Sequence, residues 1–124
     1  AALAERGYFP KDDLKSLRKT GSHLQGHPDM NKTLGVDMTT GSLGNGFASA
    51  LGMALAGKAA KKNYTVYALL GDGELQEGIV WETAMSAANH RLNNFVGIVD
   101  YNGLQITGWV NSVNRIEPLA KKWE

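Results

Sequence analysis

The sequence predicts an α/β fold, and three observations carry that expectation. Thr65-Val66-Tyr67-Ala68-Leu69-Leu70 and Phe95-Val96-Gly97-Ile98-Val99 are short, continuously apolar runs, the pattern of strands covered on both sides in a parallel sheet. Between them, Leu75, Ile79, Ala84, Met85, Ala88 and Leu92 recur at helical spacing, which predicts a helix over residues 75–91. Each apolar run ends in a glycine-flanked polar group, Gly71-Asp72-Gly73 after the first and Asp100-Tyr101-Asn102-Gly103 after the second. Strand, helix, strand in this order is a βαβ unit, so the strands should be parallel and the crossover right-handed. Two strands cannot bury both their faces alone, so the sheet reads as partial, with helices expected on both faces.

The remaining elements follow in chain order. Residues 1–20 mix Leu3, Tyr8, Phe9, Leu14 and Leu17 with charge, and the stretch from Asp13 to Lys19 predicts a short helix. Residues 21–46 hold Gly21, Gly26, Gly35, Gly41, Gly44, Gly46 and Pro28, a density that marks ordered loop and turn chemistry. From Leu43 to Lys62, Phe47, Leu51 and Leu55 recur at spacing four among many alanines. This predicts a helix whose small-residue surface suits close contact with another helix. The chain ends at Glu124 as a further helix begins. It opens at Ala1 without an initiator Met and without a charged-then-apolar leader. The expectation is that 1–124 is one partial domain, truncated at both ends.

Composition bounds the function. At 124 residues, with 43% hydrophobic and 20% charged residues, the chain has the make-up of one globular domain, not a disordered tail. Lys and Arg number 13 against 12 Asp and Glu, a net charge of +1, so no electrostatic footprint for nucleic acid or an anionic membrane is present. No segment approaches the roughly 18 consecutive apolar residues of a spanning helix. The absence of cysteine excludes disulfides, thiolate metal sites and thiol catalysis, and fits a reducing, cytoplasmic compartment.

Ligands in open α/β sheets gather outside the carboxyl ends of the strands. Asp72 and Asn102 stand at the two strand ends, and adjacent parallel strands lie roughly 4.8 Å apart. A carboxylate and an amide oxygen there can converge on one cation. That oxygen-only set, with one formal negative charge, suits Mg²⁺ completed by phosphate oxygens better than an all-protein cage. The helix expected after Gly73 turns unpaired N–H groups toward the same place, where they favour an anion. Together these describe a metal–diphosphate site. Asp and Asn are also ordinary turn residues at strand ends, and that plainer reading stays open on geometry alone.

The surrounding motifs narrow the family. The stretch from Gly71-Asp72-Gly73-Glu74 to Asn102-Gly103 resembles the thiamine diphosphate binding motif, which starts with GDG and closes on an Asn. Gly26-His27-Pro28-Asp29, then TTGSLGNG at 39–46, GDGELQEG at 71–78 and DYNGLQITG at 100–108 resemble transketolase in order and spacing. The likeness runs from about Gly21 to Glu124. It is closest to the N-terminal, diphosphate-binding part, including the small subunit of transketolases split over two chains.

The resemblance implies a parallel-sheet thiamine diphosphate-binding fold and a role for each matching position. Asp72 and Asn102 would ligate the metal with their side chains and Leu104 with its backbone carbonyl; the ion would be Mg²⁺, or Ca²⁺ or Mn²⁺ in its place. Gly71 and Gly73 would let the backbone approach the diphosphate. His27 matches the histidine near the cofactor's reactive end. Gly41, Ser42 and Leu43 match the loop on the thiamine rings, where the family often has Pro at the position of Ser42. Glu77 and Glu82 match acidic residues of the subunit interface, with solvated helix glutamates as the equal alternative. The activity implied is transfer of a two-carbon ketol unit between sugar phosphates, in an oligomer. The family also needs a glutamate from a pyrimidine-binding domain or subunit, and no block here resembles that domain. Alternatives are a cofactor-binding module without catalysis of its own, or part of a 2-oxo acid decarboxylase or dehydrogenase.

Three other patterns are expected to carry no function. Gly52 to Lys58 imitates a phosphate-binding P-loop, but Ala59 stands where Ser or Thr must hold magnesium. His23 and His27 are spaced as zinc ligands on a helix, yet Gly26 and Pro28 forbid that helix. Asn31-Lys32-Thr33 spells a glycosylation sequon with no secretory leader to give it meaning.

Overall fold

The computed structural model describes all residues, 1–124. It divides into two compact units, Ala1–Ser42 and Leu43–Glu124.

The first unit is mostly ordered loop. Helix α1 (Ala2–Glu5) is a single turn. The helix expected from Asp13 to Lys19 is instead a 3₁₀ turn over Lys11–Ser16. The reasons are local: the Ser16 hydroxyl donates back to the Asp13 carbonyl at 2.6 Å, Leu17 is extended, and Arg18 has φ of 63°, so the chain leaves helical geometry one turn in. Side chains then stitch the loops. His23 Nε2 meets Asp13 Oδ2 at 3.0 Å, Phe9 packs edge-on against the His23 ring, and Thr33 donates to the His23 carbonyl at 2.6 Å. Asp29 Oδ1 accepts from Asn31 N at 2.9 Å, an Asx turn.

The second unit holds the βαβ unit. Helix α2 (Asn45–Ala59) buries Phe47, Ala50, Ala54 and Gly57. Strands β1 (Val66–Gly71) and β2 (Phe95–Asp100) pair in parallel, in register from Val66 opposite Phe95 to Gly71 opposite Asp100. Between them runs α3 (Gly78–Asn89), packed on α2. Phe47, Leu70, Leu75, Val80, Val110 and Ile116 form the core, with Ala68, Phe95 and Val99 against it. Trp81 and Trp123 extend it, their rings 5.3 Å apart.

The predicted helix 75–91 is two pieces. A 3₁₀ turn (Gly73–Gln76) follows β1, Glu77 is extended (φ −77°, ψ 127°), and only then does α3 begin. Asp72 caps the turn by accepting from Gly73 N, and Leu75 is driven into the core. After β2 the chain forms a small antiparallel hairpin, β3 (Leu104–Gln105) with β4 (Gly108–Trp109), then the short helices α4 (Val110–Val113) and α5 (Leu119–Trp123).

The helices of this unit join one core, on the sheet face of Ala68, Leu70, Phe95 and Val99. The opposite face, where helices were also expected, is open: Tyr67 is 70% exposed, Leu69 74% and Ile98 48%, with Val96 beside them. The strands are therefore apolar on both sides, as read from the sequence, while the residues of this chain cover one side.

Candidate functional site

At the carboxyl ends of β1 and β2 the structure places Asp72 and the turn around Asn102. Asp72 is 1% exposed. Its Oδ1 accepts from Gly73 N at 2.9 Å and its Oδ2 from Gly103 N at 2.6 Å, so one carboxylate ties together the segments leaving both strands. Each oxygen keeps a further lone pair. Asn102 is exposed; its Oδ1 accepts from Leu104 N at 2.8 Å and its Nδ2 donates to Asp100 Oδ2 at 3.2 Å. Leu104 follows as the first residue of β3. Asp72, Asn102 and Leu104 thus belong to one cluster of loops.

The two glycines flanking Asp72 differ. An added Cβ at Gly71 meets nothing within 4 Å, leaving open room beside the backbone. At Gly73 it would lie 2.8 Å from the Gln105 Cβ. The structure thus supplies a reason for glycine at 73 separate from any ligand: the hairpin packs against it. Gln76 Nε2 fastens the same hairpin, donating to Gln105 Oε1 at 2.7 Å and to the Asn114 carbonyl at 2.9 Å.

Glu74, Gln76 and Gln105 were missed by the sequence reading, although all three lie inside blocks it singled out. Glu74 accepts from two backbone amides, Gly44 N at 2.8 Å and Gly71 N at 3.2 Å. Glu77 is exposed between the 3₁₀ turn and α3, and Glu82 is exposed on α3. Leu43 is 53% exposed, just before the turn at Gly44.

In the first unit, His27 is exposed and its ring lies against Gly41, where an added Cβ would come within 3.0 Å of Cγ and Cδ2. The Thr40 amide donates to the Pro28 carbonyl at 3.2 Å and Met30 N to the Thr39 hydroxyl at 3.1 Å. The GHPD segment and the Thr39–Gly41 segment are therefore neighbours, and Ser42 closes this unit.

No three His, Cys, Asp or Glu side chains gather so that they alone could hold a metal ion. A divalent ion here would draw on a mixed oxygen set, with Asp72 as its one carboxylate, and hard oxygen donors with ligand phosphates completing the sphere are the preference of Mg²⁺. The buried Asp72 carboxylate, with a lone pair left on each oxygen, has the donor chemistry such an ion takes, while Gly71 lies on the open face of the sheet.

Fold and site define an α/β domain with polar, glycine-flanked strand ends, the class in which ligands sit at the carboxyl edge of the sheet. Residues 4–124 match the family model described as transketolase, thiamine diphosphate binding domain, and the chain belongs to this transketolase family. The chain is 49% identical over 123 residues to the 6-deoxy-6-sulfo-D-fructose transketolase subunit SqwG of a Clostridium species, spanning 99% of this chain and 45% of that protein. It is 45% identical over 122 residues to an apulose-4-phosphate transketolase subunit of Actinobacillus succinogenes, 98% of this chain and 44% of that one. Among solved structures, transketolase from Campylobacter jejuni superposes with a TM-score of 0.76 at 39% identity, over 90% of this chain and 18% of that chain. Transketolase from Leishmania mexicana gives 0.76 at 36%, with the same coverage. The chain spans a little under half the length of the transketolase subunits it matches.

Proposed function

We propose that this chain is the thiamine diphosphate- and Mg²⁺-binding part of a transketolase that transfers a two-carbon ketol unit between sugar phosphates. The observation that supports this most is Asp72: a buried carboxylate bonded to Gly73 N and Gly103 N, at the strand ends of a chain in this family. Asp72, Asn102 and the Leu104 carbonyl would hold the ion, and the ion would hold the diphosphate against the Gly71 backbone. The cofactor, when bound, supplies a nucleophilic carbon that accepts and releases the two-carbon unit. His27 would bind substrate oxygens or move a proton at its imidazole nitrogens. Gly41, Ser42 and Leu43 would contact the thiamine rings, and Glu77 and Glu82 would face a neighbouring subunit.

Two relatives are named as transketolase subunits, which supports a complementary chain carrying the pyrimidine-binding domain. Their names point to different sugars, so the proposal commits to the ketol transfer and not to one donor. No helix is long and apolar enough to cross a membrane, and a cytoplasmic setting is part of the same proposal.

Calorimetric titration with Mg²⁺ and thiamine diphosphate, with and without the partner chain, tests this reading. Metal-dependent binding that Asp72→Ala abolishes is the expected result. Binding that ignores both the metal and Asp72 would refute it.

A further inference from the structure

Glu74 is a strand-end carboxylate that the proposed cofactor chemistry leaves unused. Its half-buried carboxylate spends each oxygen on a different backbone amide: Oε1 on Gly44, in the turn that opens α2, and Oε2 on Gly71, at the end of β1. Gly44 is buried, has φ of +79°, and an added Cβ would run into Ile79 Cγ2. That turn therefore has little room to rearrange, and its N–H needs an acceptor. A carboxylate there is also favoured by the positive end of the 15-residue helix α2. Through Gly71 the same carboxylate reaches the residue before Asp72, whose own oxygens continue to Gly73 and Gly103. A chain of charge-assisted bonds thus runs from the start of α2 to both strand ends.

We propose that Glu74 is a positioning residue for the diphosphate site, holding the α2 turn and the end of β1 together so that the Gly71 backbone and the Asp72 carboxylate stand ready for a metal-bound diphosphate. The inference rests on the cofactor reading above. A helix cap alone would support α2 and leave ligand affinity untouched; a positioning residue alters affinity in protein that remains folded.

Glu74→Gln and Glu74→Asp separate these roles. Gln matches Glu in size but turns an NH₂ group toward one of the two amides, so one bond is lost. Asp keeps charge and both acceptors on a shorter arm. The readouts are amide exchange at Gly44 and Gly71 without cofactor, the melting temperature, and calorimetric affinity for thiamine diphosphate with Mg²⁺, on the full chain together with its partner subunit. Glu74→Gln is expected to speed exchange at one or both glycines and to weaken affinity about tenfold, the scale of one hydrogen bond to a charged group, at a temperature where the variant is folded. Glu74→Asp is expected to fall between Gln and wild type. Equal affinity for wild type and Glu74→Gln, or for Glu74→Asp if the Gln variant does not fold, overturns the inference and leaves the cofactor reading standing. Failure of the wild type to bind overturns the cofactor reading and this inference with it.

Discussion

Asp72 is a buried carboxylate, 1% exposed, tolerated because two N–H groups are aimed at it, and each oxygen keeps a lone pair for the proposed ion. Asp72→Asn keeps the shape but offers one acceptor oxygen, so either Gly73 or Gly103 faces an NH₂ group. The expected loss of stability is about 1–3 kcal/mol, measured by urea unfolding, together with loss of metal-dependent diphosphate binding. Gly71 makes the opposite prediction. Room for a Cβ is open there, so Gly71→Ala should unfold within about 0.5 kcal/mol of wild type. If the diphosphate lies against that backbone, affinity in the same variant falls about tenfold, near 1.4 kcal/mol. Unchanged affinity for Gly71→Ala would remove the backbone from the proposed cradle.

Among the elements, the hairpin of β3 and β4 depends on the 3₁₀ turn that precedes α3. Gln76 donates to both Gln105 and Asn114, and Gly73 leaves just enough space for Gln105. Gly73→Ala should therefore destabilise the unit by about 1–3 kcal/mol, the cost of overpacking. In a cycle with Gln105→Gly, the double variant should lose less stability than the two singles summed; additive losses in thermal unfolding would show that the close approach costs nothing. This dependence explains what the sequence made legible. Both strands announce themselves as apolar runs, and the observed spans are shifted by one residue at most from the expected ones at β1. Helix α2 shows its spacing of four. The break at Glu77 is hidden because Leu75 and Ile79 also stand four apart, and periodicity cannot register the Asp72 cap that starts a separate turn. The hairpin strands have two residues each, too short for any period. Asp72 and Asn102 were legible as strand-end residues, whereas Glu74 reaches back to Gly44 and Gln76 meets Gln105 about thirty residues on, and nothing in their residue type reveals that.

For the molecule as a whole, the open sheet face sets the terms. Tyr67, Leu69, Val96 and Ile98 alternate along β1 and β2 on the side away from the core, and parallel sheets are ordinarily covered on both faces. Full burial of such side chains contributes about 1.5–3 kcal/mol each. Covering this face would therefore add on the order of 5 kcal/mol, comparable with the ~5–15 kcal/mol that holds a whole domain folded. An apolar face of this kind calls for a covering layer, and the transketolase subunits this chain resembles carry more than half their length outside the matched region. In sedimentation at micromolar concentration these 124 residues alone should self-associate through that face. Leu69→Lys with Ile98→Lys should shift them toward monomer and remove the concentration-dependent part of their stability, while the monomer's own unfolding changes little, since both side chains face solvent in the single chain. On the proposed function, these 124 residues alone, with cofactor and Mg²⁺ supplied, should give no turnover of a ketose phosphate. A wild-type monomer that transfers ketol units unaided would break the link between the open face and activity.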